Sequence, residues 1–389
     1  MKPLAQDYTL VARSPEPLLF CFEPGIMKLP SGRLLVTFPY LSPLRRRPPG
    51  YTPPLELPHL NLRASDDRGK TWHDLQPRPW TVGKPIVQDG ALYLLGTYPG
   101  RRHLVISRSD DEGDTWSPHS CLLKGRYWNC PTGHALSGNR FYWALGVESG
   151  DEVAGNVAIA RRGRATIAIA ADLGGDLLDP ASWRRSNPLP FPGVPPELVR
   201  YGKPGVALWL EPNVVAVQGR ILVISTVKIF SAEGSQTPGI AAVGEVEDDG
   251  RAMRYRFVQY YPTPGGQLKF SILWDDVSGL FWRTMNLPAS AAAAEWGDTG
   301  PGDRRMLCLS YSLDALNWMT AGCIALTPNA WEGFQYAQPC IDGDDLLVIA
   351  RTSLNEENQH DANTITLHRI RQFRALVLDG YRPNFERPS

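Results

Sequence analysis

The sequence has no surplus of charge: 40 basic residues balance 40 acidic ones over 389 residues. That excludes the basic excess by which a chain holds nucleic acid or an anionic membrane, so neither is expected as a partner. No apolar run approaches the roughly 18 residues of a membrane span. The opening stretch, MKPLAQDYTLVARSPEP, lacks the apolar core of a secretory leader. The expectation is a cytoplasmic protein, or a mature secreted form without its leader. Cysteine is sparse and scattered. Cys21, Cys121, Cys130, Cys308, Cys323 and Cys340 form no CxxC pair, and no histidine stands at zinc-ligand spacing. Buried free thiols are the expectation, with no metal and no cofactor. Helical patterning is also missing, and the alanine run at 289–294 reads as a loop.

What is present is turn chemistry and aromatic bulk: Gly 36, Pro 35 and Trp 12 suit many short strands. One phrase recurs: an opening residue, often beside proline, then an apolar run, a turn with glycine, and a second apolar run. Its copies are FEPGIMKLPSGRLLVTF, GKPIVQDGALYLLGTY, NCPTGHALSGNRFYWAL, LEPNVVAVQGRILVIST, GGQLKFSILWDDVSGLFWRTM and YAQPCIDGDDLLVIART. A second unit follows some of them: SDDRGKTW at 65–72, SDDEGDTW at 109–116 and a worn SLDALNW at 312–318. Its Asp and Gly build a tight turn between strands, and the Trp folds back to cover it. Two hairpins per unit make a four-stranded antiparallel blade, and six units make an all-β, six-bladed β-propeller. The expectation is a single propeller domain over 1–389, with inner strands starting near 22, 83, 129, 210, 267 and 336. DYTLVAR at the start would supply the strand that closes the last blade.

In such a ring the inner strands all start on one face, so their opening residues converge there. They are Glu23, Lys84, Cys130, Glu211, Lys269, and Tyr336 with Gln338. Glu23 then faces Glu211 across the axis, and Lys84 faces Lys269. Two facing carboxylates suit glycosidic bond cleavage, where one protonates the leaving oxygen while the other attacks or activates water. The structural alternative pairs each glutamate with a neighbouring lysine. Loops on the same rim carry Arg45, Arg46, Arg47, Glu56 and His59, then Arg101, Arg102 and His103. Later loops add Glu148, Asp151, Glu152, Lys228, Arg351, His360, Asp361 and Asn363. This convergence favours a polar, even anionic, sugar ligand.

SDDRGKTW and SDDEGDTW resemble the Asp boxes of the sialidase (neuraminidase) superfamily, whose fold is a six-bladed propeller. In that family the boxes are structural and lie away from the active site. YAQPCIDGDDLLVIA resembles the stretch carrying the family's tyrosine nucleophile, which maps onto Tyr336. LEPNVVAVQGRILVIST resembles the stretch carrying its paired glutamate, which maps onto Glu211. The family's three carboxylate-binding arginines do not carry over. The first becomes Glu23 in Phe22-Glu23-Pro24, the second becomes Lys228, and the third corresponds loosely to Arg304 or Arg305. The aspartate acid has no counterpart in LELPHLNLRAS, which offers only Glu56 and His59. A glutamate where the substrate carboxylate should dock would repel it at a cost of several kcal/mol in a dry site.

The resemblance therefore implies a sialidase-like fold acting on another sugar. The first reading is an exo-acting glycosidase with Glu211 and Tyr336 at the anomeric centre and Glu23 as acid or base. The second is a polysaccharide lyase on a uronate-containing glycan. It would use His134, His360 or Tyr336 as base and Arg351 or Lys269 on the carboxylate. A non-catalytic glycan-binding propeller is the third. In each case the partner is an oligosaccharide or polysaccharide.

Overall fold

The computed structural model describes residues 2–42, 47–53, 57, 59–147, 165–195, 197, 206–231, 234–235, 239–288, 302–356 and 358–381. Arg45, Arg46, Glu56, Glu148, Asp151, Glu152 and the alanine run at 289–294 lie outside the described residues. The described residues contain no α-helix, and their strands form six antiparallel sheets, the blades of a propeller.

Blade one runs through Phe20–Cys21 with Gly25–Lys28, then Leu34–Leu41, His59–Ser65 and His73–Asp74. Blade two is Lys84–Gln88, Ala91–Tyr98, His103–Ser109 and Ser120–Leu123. In blade three the inner strand is split into Tyr127–Trp128 and Ala135–Ser137, ahead of Arg140–Val147, Ala165–Asp172 and Trp183–Arg185. Blade four has the longest strands: Val206–Val217, Arg220–Ser231, Ile240–Asp248 and Met253–Pro262. Blade five is Ser271–Asp275, Leu280–Leu287, Met306–Ser312 and Met319–Leu326. Blade six takes three strands from the C-terminal part, Gly333–Asp342, Asp345–Ser353 and Thr364–Ile370, and its fourth from the start of the chain, Tyr8–Arg13. That strand pairs with Thr364–Ile370, from Tyr8 opposite His368 to Arg13 opposite Thr364, and closes the ring.

Burial follows from this stacking. The second strand of each blade is covered on both faces, so it reads as a mainly apolar run; Leu34–Leu41 is buried at every position but the last. Outer strands meet solvent on one face and alternate, as Met253–Pro262 begins to do. The apolar core is divided among the gaps between blades. Val215, Leu222, Phe281 and Met285 fill the gap between blades four and five, and Leu347, Ile349, Val36 and Phe38 that between six and one.

The Ser-x-Asp turns join third to fourth strands on the face that also carries the first-to-second-strand hairpins. Asp67 Oδ1 accepts from the amides of Lys70 and Thr71 and from the Ser65 hydroxyl, and Oδ2 accepts from the Thr71 hydroxyl at 2.6 Å. Asp111 and Asp314 hold their turns in the same way. These acidic residues are thus occupied by local backbone. On the same face Asp342 of blade six receives Lys28 at 2.6 Å and Arg68 at 2.9 Å from blade one, with Arg369 at 2.7 Å.

Candidate active site

Three inner strands share one irregularity. In blade four the ladder passes from Leu210–Thr226 to Asn213–Ile224, so two residues face one. Blade six repeats it from Gln335–Arg351 to Gln338–Ile349. In blade one Cys21 pairs with Tyr40 and Gly25 with Thr37, again one residue in excess. Each is a β-bulge, which re-aims a side chain at the cost of a ladder bond. The re-aimed residues are Glu23, Glu211 and Tyr336, with φ of 22°, 54° and 52°. A left-handed backbone costs a non-glycine residue about 1–3 kcal/mol, and such strain concentrates at functional sites. Glu23 and Glu211 also precede proline, which narrows their backbone choices further.

All three side chains are enclosed, with exposures of 4% for Glu23, 0% for Glu211 and 8% for Tyr336. Glu211 Oε2 accepts from the Thr226 hydroxyl at 3.1 Å, while Glu211 Oε1 and Glu23 Oε2 are buried with no hydrogen-bond partner among the described residues. Burial drives the Glu23 carboxyl above its ordinary range; the Glu211 charge adds to this, and Arg101, Arg351 and Lys269 oppose it. Burial likewise lifts the Tyr336 phenol well above its usual value, reinforced by Glu211 and opposed by Arg351. Cys130, from blade three, is buried within range of the Glu211, Lys269, Glu23 and Arg351 charges. The opening residues of blades one, three, four, five and six therefore share one electrostatic neighbourhood.

Arg351 lies between two aromatic faces, its guanidinium carbon 3.8 Å from the Tyr336 ring centre and 4.6 Å from that of Phe22. It is fully buried, and among the described residues its guanidinium has one hydrogen bond, from Nη2 to Gln335 Oε1 at 3.4 Å. His360 packs edge-on against both Phe22 and Tyr336 and bonds Asp361 through Nδ1 at 3.0 Å. Burial and then the Arg351 charge push its imidazole down to about 3, so it is neutral. Arg304 reaches the same group of charges, acting on Tyr336, Arg351 and His360. Lys228 is half-buried beside them, and burial lowers its ammonium against the pull of Glu211.

The two lysines behave differently from the two glutamates. Lys84 Nζ donates to the Thr132 carbonyl at 2.7 Å, and Lys269 Nζ to the Ala337 carbonyl at 2.7 Å, the Tyr336 carbonyl at 3.2 Å and the Ser271 hydroxyl. Among the described residues neither glutamate has an ion-pair partner. The glutamate–lysine pairing considered as the structural alternative is not formed.

The lysines belong to a belt of bonds that ties blade to blade beneath the bulges. Thr37 donates to Gly83 O, and Thr132 and Asn129 donate to Pro212 O. Asn213 Oδ1 accepts from Gly133 N and Ile272 N, and Ser271 donates to Gln338 Oε1 at 2.7 Å. Gln338 is thus a belt residue.

His134 lies past the belt. With Lys84 and Gln338 it lines a cavity of about 500 Å³ bounded by Ile26, Ile86, Val214 and Ile272, where neither glutamate nor Tyr336 takes part. Arg305 turns away altogether, gripping buried Asp303 at 2.9 and 2.8 Å. Of the two arginine candidates, Arg304 alone acts on Tyr336, Arg351 and His360. Sequence reasoning missed Thr226, Asn129, Thr132 and Asn213. The signal for Thr226 and Asn213 was a polar residue inside an otherwise apolar inner or second strand; Asn129 and Thr132 lie in the break of blade three's inner strand.

No protein-family model matches the chain, and no curated protein matches it in sequence. Solved structures match it in shape. Trypanosoma rangeli sialidase superposes with a TM-score of 0.59 at 12% identity, over 92% of this chain and 56% of that one. The Hadza microbial sialidase Hz136 gives 0.54 at 16% identity, over 92% and 66%. This chain thus spans less than two thirds of the length of either sialidase. The α-L-arabinofuranosidase Arb93A of Fusarium graminearum, in complex with an iminosugar inhibitor, gives 0.52 at 13% identity, over 94% and 98%. At these identities the likeness is one of fold: the chain has the six-bladed propeller fold of sialidases and of an arabinofuranosidase.

Proposed function

We propose that this chain is a glycoside hydrolase working between Glu23 and Glu211, exo-acting and directed at a sugar other than a simple sialoside. The observation that carries this is the pair of enclosed carboxyl groups on matching bulges, each with an oxygen that has no hydrogen-bond partner among the described residues. Glu23 is the general acid. Burial raises its carboxyl, so it holds its proton more readily than an exposed glutamate and gives it to the leaving oxygen. Glu211, steadied by Thr226 at one oxygen, uses the other to attack the anomeric carbon or to activate water. The neutral Tyr336 phenol, with its ring held against Arg351, donates a hydrogen bond at the same centre. The enclosure of all three groups suits a chain end better than a chain interior.

The lyase reading loses support because its carboxylate neutralisers are already enclosed. Arg351 is sandwiched between rings, and Lys269 is spent on main-chain carbonyls. The test is a panel of aryl glycosides and oligosaccharides, with uronate- and rhamnose-containing members. The expected product is a saturated reducing sugar, and Glu23→Gln and Glu211→Gln should each abolish its release from oligosaccharides without unfolding the chain. Near-normal turnover by both variants would overturn the assignment. Sialic acid release from an aryl sialoside would overturn the substrate exclusion.

A further inference from the structure

Blade five holds two cysteines that the site does not use. Cys308, in the third strand, is the direct cross-strand partner of Cys323 in the outer strand. Their side chains share a face: Cys308 belongs to the apolar cluster between blades four and five, and Cys323 packs against it. Cys323 Sγ donates to the Ala325 carbonyl at 3.4 Å, and the two thiols act on each other, Cys323 raising the Cys308 thiol and Cys308 lowering the Cys323 thiol. Directly opposed residues of an antiparallel pair lie about 4.5–5.5 Å apart at Cα. A disulfide needs about 4.4–6.8 Å. The register also shifts on both sides of Cys308, between Leu307 and Cys308 and between Leu309 and Ser310, which loosens the ladder at this point. Cys323 is partly exposed while Cys308 is buried, so a reagent reaches one thiol first.

We propose that Cys308 and Cys323 form an oxidation site that closes to a cross-strand disulfide on reaction with a small-molecule disulfide. The Cys323 thiolate attacks one sulfur of the oxidant, whose S–S bond breaks, leaving a mixed disulfide on Cys323 and releasing one thiolate. Cys308 then loses its proton and attacks the Cys323 sulfur, and the second small thiol departs. Two protein thiols are oxidised, one small disulfide is reduced to two thiols, and the two protons end on the released sulfurs.

The bond would staple the Ser-x-Asp turn of blade five. Between the two cysteines lies Ser312–Trp318, which lacks the glycine of its sisters and places Ala315 at φ 59°. It would also anchor the strand that clasps the chain start, where Leu4 N donates to Cys323 O at 2.8 Å and Ala5 N to Ile324 O at 2.9 Å. None of this depends on the glycosidase reading.

The experiment is incubation of the full chain with oxidised glutathione, followed by thiol counting and peptide mapping without reduction. The expected result is a fall of two free thiols from six, a linked peptide joining Cys308 to Cys323, and a higher Tm than the reduced protein. Cys323→Ser should lose the link and the Tm gain, Cys121→Ser should keep both, and Cys308→Ala should trap glutathione on Cys323. Six thiols remaining after treatment, glutathione on Cys121 alone, or a mixed disulfide on wild-type Cys323 that never resolves would each overturn the proposal.

Discussion

Glu23→Gln separates catalysis from folding, because the two should move in opposite directions. The substitution keeps the volume and one carbonyl oxygen but removes the proton that can be given away. A positioned general acid contributes about 10²–10⁴-fold, or roughly 3–5 kcal/mol of barrier. That loss should appear in full on oligosaccharides, whose leaving alkoxide needs a proton. On an activated aryl glycoside with a weakly basic leaving group it should shrink to about tenfold or less. Glu211→Gln should fail on both. Stability should respond the other way. Glu23 is 4% exposed with Oε2 unpartnered, and burial raises its carboxyl above the ordinary 4.5. An acid whose pKa rises on folding stabilises fully below its unfolded value and loses that contribution as pH climbs through the folded one. At neutral pH the wild type therefore carries a penalty that the glutamine variant lacks. Melting curves across pH should show the variant at or above the wild type near neutrality, with the difference closing below about pH 4.5. A variant less stable at neutral pH, or one losing equal activity on both leaving groups, would refute the reasoning.

Three further outcomes follow from the same geometry. Thr226→Val removes the hydroxyl that faces Glu211 Oε2 and the Leu210 carbonyl; a bond worth about 1 kcal/mol should lower kcat about fivefold, and the buried oxygens left behind should cost about 1–3 kcal/mol of stability, read from the denaturation midpoint. Asp342→Asn releases Lys28, Arg68 and Arg369 where blades six and one meet. Burial alone would raise that carboxyl, but the three cations hold it well below its usual range. Because the cations are 36%, 65% and 25% exposed, the loss should be nearer 2 than the roughly 3–5 kcal/mol of a buried pair, read from the denaturation midpoint. Lys84 is pushed down to about 7 by burial and then by the Lys269 charge. A base lowered from 10.5 makes folding more favourable as pH rises between about 7 and 10.5, so Lys84→Met should flatten that part of the Tm profile.

The fold was legible because a repeat betrays itself: the opening phrase, the glycine turn and the Ser-x-Asp unit recur, and the closing strand was readable in DYTLVAR. The site was legible only in part. Glu23, Lys84, Glu211 and Lys269 hold like places in the phrase, and the sequence treats them alike. The backbone does not. A bulge and a positive φ lift Glu23, Glu211 and Tyr336 into the site, whereas Lys84 and Lys269 drop onto neighbouring carbonyls. One extra residue in a ladder leaves no mark in the alternation pattern unless the partner register is known. Arg304 and Arg305 are adjacent in sequence, and only the buried Asp303 carboxylate decides that the second of them is taken. His134 follows Cys130, the opening residue of its phrase, by a few residues, enough to carry it past the belt.

The most direct test of the central claim is digestion of the glycan panel in water enriched in heavy oxygen, with products read by mass spectrometry. The account predicts a saturated sugar carrying one solvent oxygen at its reducing carbon, formed by the wild type and lost with Glu211→Gln. An unsaturated product without solvent oxygen, or a labelled product that survives Glu211→Gln, would contradict it.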